Sequence, residues 1–215
     1  MRRINVKSLK SGMVVARAIF SSDGRILLHS GIMLSDSYIK RLEELGIDSI
    51  YVKDKIFGDL IYRDVVADET RINAIRTVRE NFNQLEKNHS LNTRAVKVTV
   101  SNIVDELLAN REILLSLSDI RAFDDYTFAH SVNVCILAIM TGITMGYDHT
   151  QINELGIGAL LHDIGKIRIN LRVLNKPGDL TREEFKEIKR HPEFGFKILR
   201  DYQELSLLST HVAYQ

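Results

Sequence analysis

The chain has 215 residues, 45% of them hydrophobic, with 29 Lys and Arg against 28 Asp and Glu for a formal net charge of +1. That length holds two modest domains with real cores, and the balanced charge argues against a strongly basic nucleic-acid surface. A single cysteine, Cys135, rules out a disulfide within the chain and suits a reducing compartment.

The N-terminus lacks the charged, apolar and small-residue succession of a secretory signal. The longest apolar stretch, residues 134–145, is interrupted by Thr141, Gly142 and Thr144 and falls short of the roughly 20 residues that span a bilayer. The expectation is a cytoplasmic, soluble protein with neither a membrane nor a nucleic-acid polymer as partner.

Residues 3–53 read as a small mixed β/α unit. Apolar and β-branched residues from Gly12 to Phe20, the turn chemistry of Ser21-Ser22-Asp23-Gly24 and the run Arg25-Ile26-Leu27-Leu28 predict a hairpin. Ser35 or Asp36 then caps a helix through Tyr38, Ile39, Leu42 and Leu45, which Gly46 stops, and residues 47–52 form another short strand. His29 is expected on the surface. No clean period emerges over residues 54–67, which read as a linker.

Residues 68–118 are expected to be mostly helical. Ile72, Ile75, Val78, Arg79, Phe82 and Leu85 follow a 3.6-residue period, residues 88–92 break it with a solvated His89, and a second stripe carries Val96, Val100, Ile103, Val104, Leu107 and Leu108. Core is the default reading of these stripes, with a homodimer interface as the alternative. Residues 114–122 form a short helix or turn, and Asp124, Asp125 or Thr127 caps the helix that follows.

That helix, from about Phe128 to Gly146, carries His130 near its start and is expected to bury Val134, Leu137, Ala138 and Met145, with Cys135 a small core residue. A further helix is expected from Asp148 to Ile164 with His149 exposed. Lys176-Pro177-Gly178 is a turn, and Thr181-Arg182-Glu183-Glu184 is a capping box for a helix ending before Pro192. The last helix starts after His191 and buries Phe194, Ile198 and Leu199.

Chemistry concentrates in Leu160-Leu161-His162-Asp163-Ile164-Gly165-Lys166. On a helix His162 and Asp163 lie about 100° apart and can close on one cation from neighbouring sides. Lys166, three residues after Asp163, lies on the same rim, where an ammonium makes a poor metal ligand and a good clamp for an anionic substrate such as phosphate. The bland alternative is a helix end whose His and Asp pair with each other. His130, in Phe128-Ala129-His130-Ser131, and His191, in Lys189-Arg190-His191-Pro192, supply further imidazoles on separate elements.

In order and spacing, the His130 segment, the His162-Asp163-Ile164-Gly165-Lys166 run, Asn175-Lys176-Pro177-Gly178-Asp179-Leu180-Thr181 and His191-Pro192 resemble the HD-GYP branch of the HD metal-dependent phosphohydrolases. The resemblance implies an all-helical domain, divalent metals (commonly iron or manganese) and hydrolysis of cyclic di-GMP. It makes His130, His162, Asp163 and His191 metal ligands, with Asp163 bridging two ions, and makes Lys166 a catalytic group that binds the scissile phosphate. Tyr126 stands where some members carry a glutamate for a third metal, which favours two ions. His211 is expected to be structural. The family's His-His-Glu and Gly-Tyr-Pro segments do not occur before Gln215, so a truncated, incomplete site is expected.

The fold class expected is α+β: a small N-terminal β/α module and linker over residues 1–67, a helical connector or dimerisation hairpin over 68–118, and an HD-type domain over 119–215. The function expected is a metal-dependent phosphodiesterase acting on a cyclic dinucleotide, present as an N-terminal portion inactive by itself. The alternatives are a noncatalytic cyclic-dinucleotide sensor or interaction module on a degenerate HD scaffold, and an HD phosphohydrolase acting on mononucleotides.

Overall fold

The computed structural model describes residues 2–21, 26–53, 65–110 and 127–214. The tip of the expected hairpin, residues 54–64 of the expected linker, the short element at 114–122, the acidic caps Asp124 and Asp125, and Tyr126 lie outside the described residues. The architecture is α+β, mostly helical with small antiparallel strand pairs.

In the N-terminal unit β1 (Arg2–Asn5) pairs antiparallel with β4 (Ser49–Val52), in a register running from Arg2↔Val52 to Asn5↔Ser49. The hairpin forms between the short strands β2 (Ile19–Phe20) and β3 (Ile26–Leu28). Helix α1 (Asp36–Glu44) is capped by the Ser35 hydroxyl, which accepts from the Tyr38 amide at 3.3 Å. Gly46 takes φ +71° just beyond it, a conformation that costs glycine least. Val6, Val15, Leu34, Leu42, Ile50 and Val52 are buried together beneath these elements.

A second apolar cluster extends from Val65 to Ala213. It is built from α2 (Asp68–Asn88), α3 (Thr93–Ala109), α4 (Thr127–Thr144), α5 (His149–Leu161), a 3₁₀ turn (Ile164–Arg168) and α8 (His191–Leu199), while α6 (Leu171–Leu174), α7 (Arg182–Ile188) and α9 (Leu207–Val212) complete the helices around it. The stripe Val96, Val100, Ile103, Val104 and Leu107 on α3 is buried within this chain. Among the described residues no helix is long and apolar enough to cross a membrane.

Helix α5 is the hub, packed against α3, α4 and α9. Its glycines permit that crowding: a Cβ on Gly156 would lie 2.7 Å from Val100 Cγ1, and one on Gly158 would lie 2.5 Å from the Ser209 carbonyl oxygen. The Asp148 carboxylate caps α5 and Gln151 completes a capping box. At the same end of the bundle the Glu106 carboxylate accepts from the Ala67 amide at 2.8 Å and from the Thr70 hydroxyl, satisfying the start of α2.

Three expectations are corrected. On α4, Val132, Cys135, Ile136 and Ile139 are buried, Val134 and Ala138 pack only partly against the cluster, and Met145 is 63% exposed. That helix is apolar around most of its circumference, so periodicity does not select its inner face. The helix expected to reach Ile164 ends at Leu161 and tightens into the 3₁₀ turn. Helix α8 begins at His191 itself, with Pro192 in its first turn, where a missing N–H costs nothing; Phe194 and Ile198 on it are only partly buried, whereas Leu199 is fully so.

Candidate metal centre

Three helix ends deliver the site. His130 sits in the first turn of α4, His162 and Asp163 follow α5 at the entry to the 3₁₀ turn, and His191 opens α8. Ligand atoms of His130, His162 and Asp163 all lie within 4.8 Å of one another. The His130 and His162 rings meet edge to face with centroids 5.2 Å apart. From the far side His191 Nε2 reaches Asp163 Oδ1 at 3.4 Å, and His162 Nε2 stands 3.5 Å from the same oxygen. All four residues singled out as ligands are thus brought together around one carboxylate.

The backbone dictates which nitrogens face inward. His162 Nδ1 lies 2.8 Å from the Ala159 carbonyl oxygen and His191 Nδ1 lies 2.8 Å from that of Ile188. A carbonyl oxygen only accepts, so each Nδ1 carries the proton, and in the neutral ring each Nε2 presents a lone pair. Burial pulls the His162 pKa below the usual imidazole range, against the raising effect of Asp163, and so favours that neutral form.

With both rings neutral, two imidazole lone pairs and a carboxylate oxygen face one another at 3.4 and 3.5 Å. Ligands about 2.1 Å from a common ion stand about 3.0–3.4 Å apart, so these residues fit a divalent metal. Asp163 is only 2% exposed, and a carboxylate so deep needs counter-charge.

Part of that charge comes from Lys166, whose Nζ donates to Asp163 Oδ2 at 2.6 Å. On the expected helical rim the two residues would already be neighbours. In a 3₁₀ turn residues i and i+3 eclipse, which sets Lys166 directly over Asp163.

Sequence reasoning missed the contact that brings His191 in. A Cβ added to Gly165 would lie 1.9 Å from the His191 carbonyl oxygen and 2.4 Å from the Gly195 nitrogen. The 3₁₀ turn and α8 thus touch backbone to backbone, and only glycine at 165 allows it. The Ala159 and Ile188 carbonyls went unread as well, because every residue type has one; their shared position three residues before a histidine was the only trace.

Other expected residues lie apart from the chemistry. His29, His89 and His149 are exposed. His211 stacks against Phe196 with ring centroids 5.1 Å apart, a structural contact. Cys135 has no exposed surface and its thiol donates to the Gly156 carbonyl at 3.3 Å.

Comparison with known proteins agrees with this geometry. Residues 127–214 match the HD domain family. A cyclic di-GMP phosphodiesterase of Pseudomonas aeruginosa is 40% identical over 116 residues, covering 52% of this chain and 28% of that protein. A cyclic di-GMP phosphodiesterase of Thermotoga maritima is 33% identical over 162 residues, 75% of this chain and 43% of that protein. The chain therefore spans less than half the length of either relative. Among solved structures, an HDG"Y"P protein from Bdellovibrio bacteriovorus superposes with a TM-score of 0.59 at 20% identity, covering 100% of this chain and 76% of that one, which attests the fold. Over residues 127–214 the chain is thus similar to the HD domain family.

Proposed function

We propose that the site is the centre of a metal-dependent phosphodiesterase of the HD-GYP branch, with a cyclic dinucleotide, cyclic di-GMP first, as substrate. The observation that supports it most is the convergence of the His162 and His191 Nε2 atoms on Asp163 Oδ1, with both Nδ1 atoms tied to backbone carbonyls. The substrate class rests on the names of the two relatives, each a cyclic di-GMP phosphodiesterase.

His130, His162, Asp163 and His191 would hold the metal. Nitrogen and oxygen donors together suit iron, manganese or another first-row ion better than calcium, which takes oxygen alone. When bound, such ions supply Lewis acidity toward a phosphoryl oxygen and a nucleophile at neutral pH. The chain's own part is to aim the imidazoles, through the Ala159 and Ile188 carbonyls, and to offer the Lys166 ammonium to a nonbridging oxygen of the scissile phosphate. In this reading residues 1–67 are an accessory module, and α2 and α3 buttress the HD domain.

Metal analysis tests the ligand set. Protein purified anaerobically with iron and manganese supplied should carry a first-row metal that Asp163→Asn and His162→Ala each lose, and a protein without metal under those conditions would refute the reading. Calorimetric titration with cyclic di-GMP should show binding to the metal-loaded protein that the same two variants lose.

A further inference from the structure

The carbonyls that orient the two rings come from unlike places. Ala159 lies inside α5, where Ile157, Ala159, Leu160 and Leu161 are all buried in the bundle. Ile188 is the last residue of α7, and among the described residues neither α6 nor α7 has a buried one. Residues 170–190 leave the bundle directly after the buried Ile169, which closes the turn carrying Asp163, and return directly before His191. A segment with so little apolar burial opens at low cost. Its two ends therefore need a tie if His191 is to keep its aim.

Glu187 supplies one. Its Oε1 accepts from the Asn170 amide at 3.1 Å, joining positions 17 residues apart at the two ends of the excursion. Its own carbonyl accepts from the Arg190 amide at 3.0 Å, so the same residue also fixes the turn between α7 and His191. The next carbonyl along, that of Ile188, is the one 2.8 Å from His191 Nδ1. We propose that Glu187 is the positioning residue of His191: by clasping the excursion shut it holds the Ile188 carbonyl against the ring and keeps Nε2 aimed at Asp163 Oδ1. The close approach of Gly165 sets where the His191 backbone lies, and Glu187 sets how the ring is turned. The consequence for metal affinity rests on the metal reading above, whereas the orientation of the ring does not.

Nuclear magnetic resonance of the ring nitrogens in the metal-free whole chain reads both rings, with His162→Ala and His191→Ala to assign the signals. In wild type, His162 and His191 should each show a protonated Nδ1 that exchanges slowly with water. Glu187→Ala should fold, since alanine favours helix and α7 buries nothing. In it the His191 Nδ1 proton should exchange on the order of tenfold faster, while His162 stays as in wild type. Glu187→Gln keeps an acceptor oxygen and should restore His191. Calorimetric titration with Mn²⁺ should show affinity about 10-fold lower in Glu187→Ala and near wild type in Glu187→Gln. A Glu187→Ala protein whose His191 signal or Mn²⁺ affinity matches wild type overturns the inference and leaves the metal reading intact. Equal loosening of both rings, or a Glu187→Gln that does not restore His191, also overturns it, since residue 187 would then not act through its bond to Asn170. A wild type that binds no Mn²⁺ refutes the metal reading, and the ring signals still decide the part of Glu187.

Discussion

Replacing Gly165 with alanine tests the geometry of the centre without touching a ligand. The added Cβ would sit 1.9 Å from the His191 carbonyl oxygen, and carbon atoms of this kind do not come closer than 3.0 Å, so the turn and the start of α8 must part by about 1.1 Å. No rotamer relieves the clash, because the atoms on both sides are backbone. The strain should cost about 1–3 kcal/mol of stability. Because His191 begins α8, its ring moves with the backbone, and the 3.4 Å approach of its Nε2 to Asp163 Oδ1 opens. Metal affinity should fall about 10- to 100-fold, the usual result of disturbing what orients a ligand. Gly195→Ala is the matched control: its Cβ would lie 3.5 Å from the Gly165 nitrogen, ordinary contact, and alanine is the better helix former. Thermal unfolding and calorimetric metal titration of the two variants decide the matter. A Gly165→Ala protein with wild-type melting temperature and affinity would show that the backbone contact does not position His191.

Three further outcomes follow from the packing and the charges. Gly158→Ala should lose about 1–3 kcal/mol in denaturant unfolding, since its Cβ would meet the Ser209 carbonyl oxygen and Val212 Cβ, each at 2.5 Å, with wild-type ligand geometry as seen by metal stoichiometry. Cys135 should resist a disulfide-exchange reagent in native protein and react fully once unfolded, because burial both hides the thiol and raises its pKa. The Lys176 ammonium and the Thr181 amide hold the Glu184 carboxyl below its usual pKa, so the stability it gives is complete above the unfolded value near 4.5 and fades as pH falls through the folded one. Thermal melts from pH 6 down to pH 3 should therefore fall less steeply for Glu184→Gln than for wild type.

Legibility in the sequence varied with the kind of signal. Residue type and order picked out the residues that gather: His130, His162 and His191 all come close to the Asp163 carboxylate. Caps were equally plain, since Ser35, Asp148 and Thr181 act through short side chains at predictable offsets. Strand β1 escaped notice because Arg2–Asn5 shows no alternation and gains its structure from pairing with β4. The inner face of α4 was misjudged where apolar residues surround the helix. Arg71 and Asn133 were also passed over, although both are buried and joined at 3.1 Å, because nothing in a polar residue's neighbours along the chain reveals a partner 62 positions away.

The change from α to 3₁₀ winding after Leu161 ties these observations together. Had α5 continued, Asp163 and Lys166 would sit about 60° apart around the axis, neighbours but offset. Tightening to three residues per turn eclipses them, in keeping with the 2.6 Å ion pair. The same turn brings a residue with no side chain against α8, and that contact is what admits His191. A single local departure from the helix therefore sets both halves of the centre, the imidazole side at Oδ1 and the ammonium side at Oδ2. Restoring regular α-helix through residue 166 would undo both at once, even with every ligand unchanged.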